Sequence, residues 1–393
     1  MTGRAVSVRW LSAAAWAGMF FFGVVMALVG TVLPVFSDRL HFGLARAGDL
    51  FLAMNFAMLL TMLALGPVMD RFGKKPALVA GAISVTFALA LVAAAPDYKT
   101  LLVAVSFLGI GGGALNGGTN TLVADLHTDA SRKSSALNIL GIFFGFGALF
   151  QPFLFGTLLD VLGPSPILYL MLVLSFVPLI FFAVLAFPPP VRGPEFRWAE
   201  ARDFLKNPLV LVLGFLLFFQ SGNEFILGGY TSTYLTSGLK MPIRTASYLL
   251  AAYWGAIMIG RIAASRLVYH MKGKALVILS ALIAAGGIAG MLTASGTWGA
   301  SAGAVLIGLG FASIYPVTLG LAGSRFQELS GTVFGILFSI ALVGGMTMPW
   351  MVGQVAAAWG LRLALWIAAA NCGGIILLQL AVSRLARRAG SEA

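Results

Sequence analysis

A single cysteine, Cys372, stands in a chain of 393 residues. That excludes a disulfide framework, and with it a thiolate metal site. Histidine is nearly as scarce: His41, His127 and His270 are scattered, and no spacing joins them into a ligand set. No metal and no cofactor are expected. Charge is also short. Lys, Arg, Asp and Glu together make up 10% of the residues, against about a quarter in an ordinary globular domain. A water-exposed surface cannot be covered with so few charges, so a soluble enzyme is excluded. Disorder is excluded by the opposite excess, since 60% of the residues are hydrophobic. The 48 glycines follow no three-residue period, which removes a collagen-like chain.

What remains is an apolar chain cut into long runs. A membrane helix needs roughly 20 mostly apolar residues, and twelve stretches of that kind can be read: 10–36, 47–69, 76–95, 99–124, 135–160, 166–188, 208–237, 245–269, 274–294, 298–323, 331–357 and 361–385. The first follows Arg4 and Arg9 and is too long for a signal-peptide core, so it is read as a membrane helix. The longest hydrophilic stretch, 189–207, follows Pro188 and carries Arg192, Arg197, Arg202 and Lys206. The expected fold is therefore all-α and integral to the membrane: six helices in 1–188, a linker over 189–207, and six more in 208–393.

The net charge of +12 raises the question of nucleic acid. The cations, however, sit in short clusters between apolar runs and not on one polar face. With the N-terminus placed in the cytoplasm, 18 of the 25 Lys and Arg fall on that side. The positive-inside rule then predicts cytoplasmic termini at both ends, a plasma (inner) membrane location, the lipid bilayer as partner, and no nucleic acid.

The two halves echo one another. After the second run stands Gly66-Pro67-Val68-Met69-Asp70-Arg71-Phe72-Gly73-Lys74-Lys75; after the eighth stands Gly260-Arg261-Ile262-Ala263-Ala264-Ser265-Arg266-Leu267, a degenerate second copy. The first decapeptide, at that loop and in a chain of six plus six helices, resembles the cytoplasmic loop motif of the major facilitator superfamily. The resemblance covers the whole chain. It implies two pseudo-symmetric six-helix bundles, transport by alternating access, a monomer, and a conformational gate built on Gly66, Asp70, Arg71, Gly73, Lys74 and Arg261. In such a gate Asp70 accepts from a helix N-terminus while Arg71 pairs nearby.

A narrower resemblance rests mostly on the C-terminal half. Gly111 to Asn120 in the fourth run, Gly222 to Tyr230 in the seventh, Tyr253-Trp254-Gly255 with Gly260-Arg261 in the eighth, Ser313-Ile314-Tyr315-Pro316 in the tenth, and Gly344-Gly345 with Pro349 in the eleventh are similar to the fucose/galactose/glucose-proton symporters. That likeness implies a neutral monosaccharide as small-molecule substrate. It has departures: where fucose-permease-like members carry acids in the first and fourth helices, this chain aligns Gly30 and Asn116. Proton coupling is therefore not simply carried over, and the coupling ion is left as H+ or Na+.

Among 13 acidic residues, Glu224 lies near the middle of an apolar run. An ionised side chain there costs about 2.5–3.5 kcal/mol on the insertion scale, so it should face a cavity or hold a partner. Three roles stay open for it: a coupling acid, a ligand for sugar hydroxyls, or a partner for Arg261. Arg261 in turn either snorkels, balances an acid, or meets an anion. Amides in the runs, among them Asn138, Gln354 and Asn371, offer both donors and acceptors to hydroxyl groups. Of these amides, Asn55, Asn116, Asn120, Gln151, Gln220 and Asn223 are the substrate-binding candidates. Asn116 and Asn120 are one helical turn apart, and Gln220, Asn223 and Glu224 are read as one wall of the cavity. Tyr253, Trp254, Tyr315 and Trp350 lie within runs, where a flat ring can stack on the C–H face of a sugar.

The glycine run 109–118 lies inside an apolar span and follows no strand, so it is read as a packing surface and not a phosphate loop. Asp125, Asp129, Arg132 and Lys133 form a charge cluster read as a gate or a solvated loop. No nucleophile–base pair suggests an enzyme. The expected function is a secondary active transporter of a neutral monosaccharide or similar polyol by proton or sodium symport. The rivals are an exporter of apolar or cationic compounds by proton antiport, and an uncoupled facilitator.

Overall fold

A computed structural model describes residues 7–127, 129–188, 204, 206–326 and 330–388 of the chain. No strand occurs among the described residues. Twelve long helices account for nearly all of them: α1 (Val8–Arg39), α2 (Leu44–Phe72), α3 (Lys74–Ala94), α4 (Tyr98–Leu126), α5 (Ala130–Leu162), α6 (Pro164–Val184), α7 (Pro208–Thr233), α8 (Ile243–Leu267), α9 (Gly273–Thr293), α10 (Thr297–Arg325), α11 (Ser330–Trp359) and α12 (Trp366–Arg388). A helical turn, Leu361–Ala364, leads into α12. All twelve are long and apolar enough to cross a membrane. Only a helix satisfies every backbone N–H and C=O within the segment, which a hydrocarbon surrounding demands.

The sequence supplies the stops and starts. Gly73, Gly163 and Gly360 adopt φ of 83°, 76° and 86° between α2 and α3, α5 and α6, and α11 and the turn before α12. A side chain is disfavoured in that left-handed region, so glycine is the residue that turns the chain there. Asp97, Asp129 and Asn207 cap the next helices, accepting from the backbone N–H of Thr100 at 2.8 Å, Arg132 at 2.9 Å and Leu209 at 2.9 Å. Pro164 and Pro208 open α6 and α7, where a missing N–H costs nothing. The helices depart from the sequence reading at a few ends. The sixth stops at Val184, short of Pro188. The seventh runs on from α7 into a five-residue π-turn, Tyr234–Gly238.

The chain forms two compact units, one of Met1–Phe42 and Ala53–Glu195, the other of Gly43–Leu52 and Phe196–Ala393. The first turns of α2, Gly43–Leu52, fall in the second unit. Gly48 and Gly353 permit this. A Cβ on Gly48 would lie 2.9 Å from the Trp350 carbonyl oxygen, and one on Gly353 would lie 2.6 Å from that of Leu44. Apart from Phe204, Lys206 and Asn207, the linker 189–207, with Arg192, Arg197 and Arg202, lies outside the described residues.

Within each unit the same packing recurs. In the first, α1 packs on α4, α5 and α6, and α3 on α4 and α6; in the second, α7 packs on α10, α11 and α12, and α9 on α10 and α12. Glycines mark equivalent crossings. A Cβ on Gly147 of α5 would collide with the Phe20 carbonyl of α1, and one on Gly344 of α11 with the Phe218 carbonyl of α7. Likewise Gly109 of α4 abuts the Met54 carbonyl of α2, and Gly308 of α10 the Tyr253 carbonyl of α8. Between helices in lipid there is no hydrophobic drive, so close approach at small residues supplies the van der Waals contact that holds them.

Candidate functional site

In the second unit, α7 brings Glu224 into a buried polar group. Among the described residues it is the one buried acid. Gln220, one turn earlier on α7, donates from Nε2 to Glu224 Oε1 at 2.9 Å and to the Phe311 carbonyl of α10 at 3.3 Å. From α8, Arg261 acts electrostatically on Glu224. The phenols of Tyr253 (α8) and Tyr315 (α10) lie within the field of both charges. Tyr253 and Trp254 are both 1% exposed. Their rings meet edge to face at 5.2 Å, and Tyr253 meets Phe311 edge to face at 6.5 Å. Tyr315 stacks on Phe338. The Gln220 Oε1 and Tyr253 Oη atoms are buried with no hydrogen-bond partner among the described residues.

Asn223 does not join this group. It faces α12, donating from Nδ2 to the Ala368 carbonyl at 3.1 Å and to Cys372 Sγ at 3.5 Å, while Asn371 donates to its Oδ1 at 3.0 Å. Gln220, Asn223 and Glu224, read as one wall, thus do not share one set of neighbours. Gln220 and Glu224 look toward α8 and α10, and Asn223 is an interhelical tie. The cause is angular: consecutive helical residues stand about 100° apart, so Asn223 and Glu224 meet different neighbours.

In the first unit, Asn120 donates from Nδ2 to the Asn116 carbonyl at 2.9 Å and to Asn116 Oδ1 at 3.0 Å, both residues being half-buried on α4. Asn55 on α2 and Gln151 on α5 are fully buried. Neither end of the Gln151 amide meets a hydrogen-bond partner among the described residues. The structure places Asn116 with Asn120 and leaves Gln151 as a separate polar point next to Pro152.

The motif after α2 is only partly tied down in its own unit. Asp70 and Arg71 are exposed, with Arg71 over the Phe72 ring at 5.1 Å. A Cβ on Gly66 would meet nothing within 4 Å. Lys74 forms an ion pair with Asp125 of α4, and Lys75 donates to the Leu185 carbonyl at 2.9 Å. Asp125 thus has a definite partner in the motif, while Asp129 caps α5. Trp350, 38% exposed on α11, donates from Nε1 to Asp49 Oδ1 at 3.1 Å. Asp49, Phe311 and Asn371 complete contacts to site candidates without being candidates themselves. For Asn371 the sequence offers a signal, an amide inside an apolar run; for the Phe311 carbonyl it offers none.

The chain is similar to known proteins in sequence and in fold. The family profile of the Major Facilitator Superfamily matches residues 15–349. The chain is similar to the uncharacterized MFS-type transporter YfkL of Bacillus subtilis, 24% identical over 87% of this chain and 88% of that one. It is also similar to the multidrug resistance protein MdtG of Proteus mirabilis, 24% identical over 90% of this chain and 91% of that one. A crystal structure of a point mutant of the nucleoside transporter NupG superposes with a TM-score of 0.81 at 15% identity, covering 95% of this chain and 99% of that one. That likeness speaks for the fold.

Proposed function

This chain belongs to the Major Facilitator Superfamily, and we propose that within it the protein is a secondary active transporter that moves a small neutral polar solute, a monosaccharide or similar polyol, in symport with a proton. The observation that carries this reading is the pairing of Glu224 with Gln220 in the field of Arg261. The buried acid has a cation to balance it, so the remaining groups within reach are neutral: an amide and two phenols. Such a set offers hydroxyl-matching donors and acceptors without demanding a charged cargo. Glu224 is the coupling acid of this reading. A proton helps transport only by biasing one conformation over the other, and neutralising the acid beside Arg261 changes the local charge balance on which such a bias rests. The distribution of Lys and Arg favours both termini in the cytoplasm of a cell with its plasma membrane as the site of action.

A second reading, export of apolar or cationic compounds by proton antiport, is favoured by the likeness to MdtG. Uptake of a panel of labelled monosaccharides into proteoliposomes, with imposed pH and sodium gradients, separates the two. Accumulation driven by the pH gradient and lost in Glu224→Gln is the expected result. Sugar flux that ignores both gradients and survives Glu224→Gln overturns the coupling. An absence of sugar flux together with pH-driven movement of a lipophilic cation in the same vesicles overturns the solute class and establishes the second reading.

A further inference from the structure

We propose that Gln220 is a positioning residue that reads the protonation state of Glu224 and passes it to α10 through the Phe311 carbonyl. The inference rests on the reading of Glu224 as the coupling acid and goes beyond it by naming the group that turns a proton into a helix contact. A carboxylate only accepts hydrogen bonds, and a carboxamide presents two donors and one acceptor atom. In the structure both donors of Gln220 are in use from Nε2, one to Glu224 Oε1 at 2.9 Å and one to the Phe311 carbonyl at 3.3 Å. Its acceptor, Oε1, is buried and meets no hydrogen-bond partner among the described residues. This arrangement suits an ionised Glu224.

A proton on the Glu224 carboxylate reverses the demand. The carboxylic acid now has an O–H to donate, and the acceptor without a partner belongs to the same amide. Turning that amide end for end places Oε1 against the acid and removes Nε2 from Phe311, since two carbonyl oxygens cannot share a hydrogen bond. The turn meets the acid's O–H with the acceptor that had no partner, and in exchange gives up the two Nε2 contacts; it is this exchange that couples the proton to α10. The contact it releases lies at a weak point of α10. Phe311 precedes Pro316 by little more than one turn, and proline removes a rung of the helical ladder.

Charged and titratable groups reach Glu224 from two neighbouring helices. From α8, Arg261 and the Tyr253 phenol bear on Glu224, and from α10 the Tyr315 phenol does so. From α12, Cys372 is held by Asn223, and from α11 Met348 meets Asn371 and has no proton to exchange.

The test is an infrared titration of the full protein in lipid, following the C=O stretching band of a protonated carboxyl group, beside the intact protein's own transport. Expected is a band that appears on acidification, vanishes in Glu224→Gln, and moves to higher frequency in Gln220→Leu because the acid loses its hydrogen-bond acceptor. Tyr253→Phe should leave it in place. A band that Gln220→Leu does not move, or that moves in Tyr253→Phe instead, overturns the role of Gln220 while leaving Glu224 as the coupling acid. A protein that never shows the Glu224 band overturns both. For the second half, spin labels on cysteines placed at Ser301 and Ser324 in a Cys372→Ser background should report a pH-dependent distance along α10. That dependence is expected to be lost in Gln220→Leu; its persistence there overturns transmission to α10.

Discussion

Trp350 Nε1 donates to Asp49 Oδ1 at 3.1 Å across 301 positions of sequence, joining α11 to the first turns of α2 inside one compact unit. The bond is charge-assisted and partly exposed, so its net worth is about 1 kcal/mol. Trp350→Phe and Asp49→Ala should each lower the thermal midpoint of the purified protein. Combined, they should lose less than the sum of the two, giving a coupling of about 1 kcal/mol in a double-mutant cycle. Strict additivity would show that the bond contributes nothing.

Glycines in different surroundings should respond differently to one added methyl. Gly344→Ala drives a Cβ into the Phe218 carbonyl, and overpacking of that kind costs about 1–3 kcal/mol. Gly286→Ala meets nothing within 4 Å, and its stability should stay within about 0.5 kcal/mol of the parent. Gly66→Ala has the same open surroundings and should also leave stability unchanged; if Gly66 serves a conformational gate, the same variant should nevertheless lower transport. Equal transport in Gly66→Ala and parent would remove Gly66 from the gate.

Asn371 satisfies the buried Oδ1 of Asn223. Asn371→Ala should destabilise by about 1–3 kcal/mol, since the partner acceptor is left buried and unmet. Replacing both, Asn223→Leu with Asn371→Leu, should recover part of the loss, because removing both partners is less costly than orphaning one. Thermal unfolding in detergent measures both variants against the parent.

Asp97 lies outside the membrane-spanning helices and caps α4; the Thr100 N–H it accepts holds its carboxyl below the usual carboxylate range. A lowered folded value means that the cap contributes above the ordinary carboxyl pKa and is lost as pH falls through the folded value. The gap in thermal midpoint between the parent and Asp97→Ala should therefore be constant near neutrality and close at strongly acid pH. A gap that widens on acidification would contradict the sign.

The number and placement of the helices are legible in the sequence because lipid imposes a run length that a window along the chain can detect. Asn116 with Asn120 is legible for a similar reason, as their spacing of four is a local property of one helix. Spacing alone does not show that Asn223 bonds to α12 while Gln220 bonds to α10, since helix neighbours are set by packing far away in sequence. Asp125 reads as part of a loop cluster, although its partner Lys74 stands in the motif after α2; nothing local connects α3 with α4 at those two positions. The Phe311 carbonyl is beyond reach altogether, because any residue type provides one.

The π-turn Tyr234–Gly238 that closes α7 holds an extra residue within its last winding. Deleting one residue there would let the ladder relax to ordinary α geometry and would rotate everything after it by about 100°. Tyr234, whose hydroxyl donates to the Leu292 carbonyl at 3.3 Å at the start of that turn, would keep its anchor, while the chain entering α8 would arrive out of phase. The end of α7 thus sets the phase in which the chain enters α8, and shortening it disturbs more of the fold than changing any one side chain.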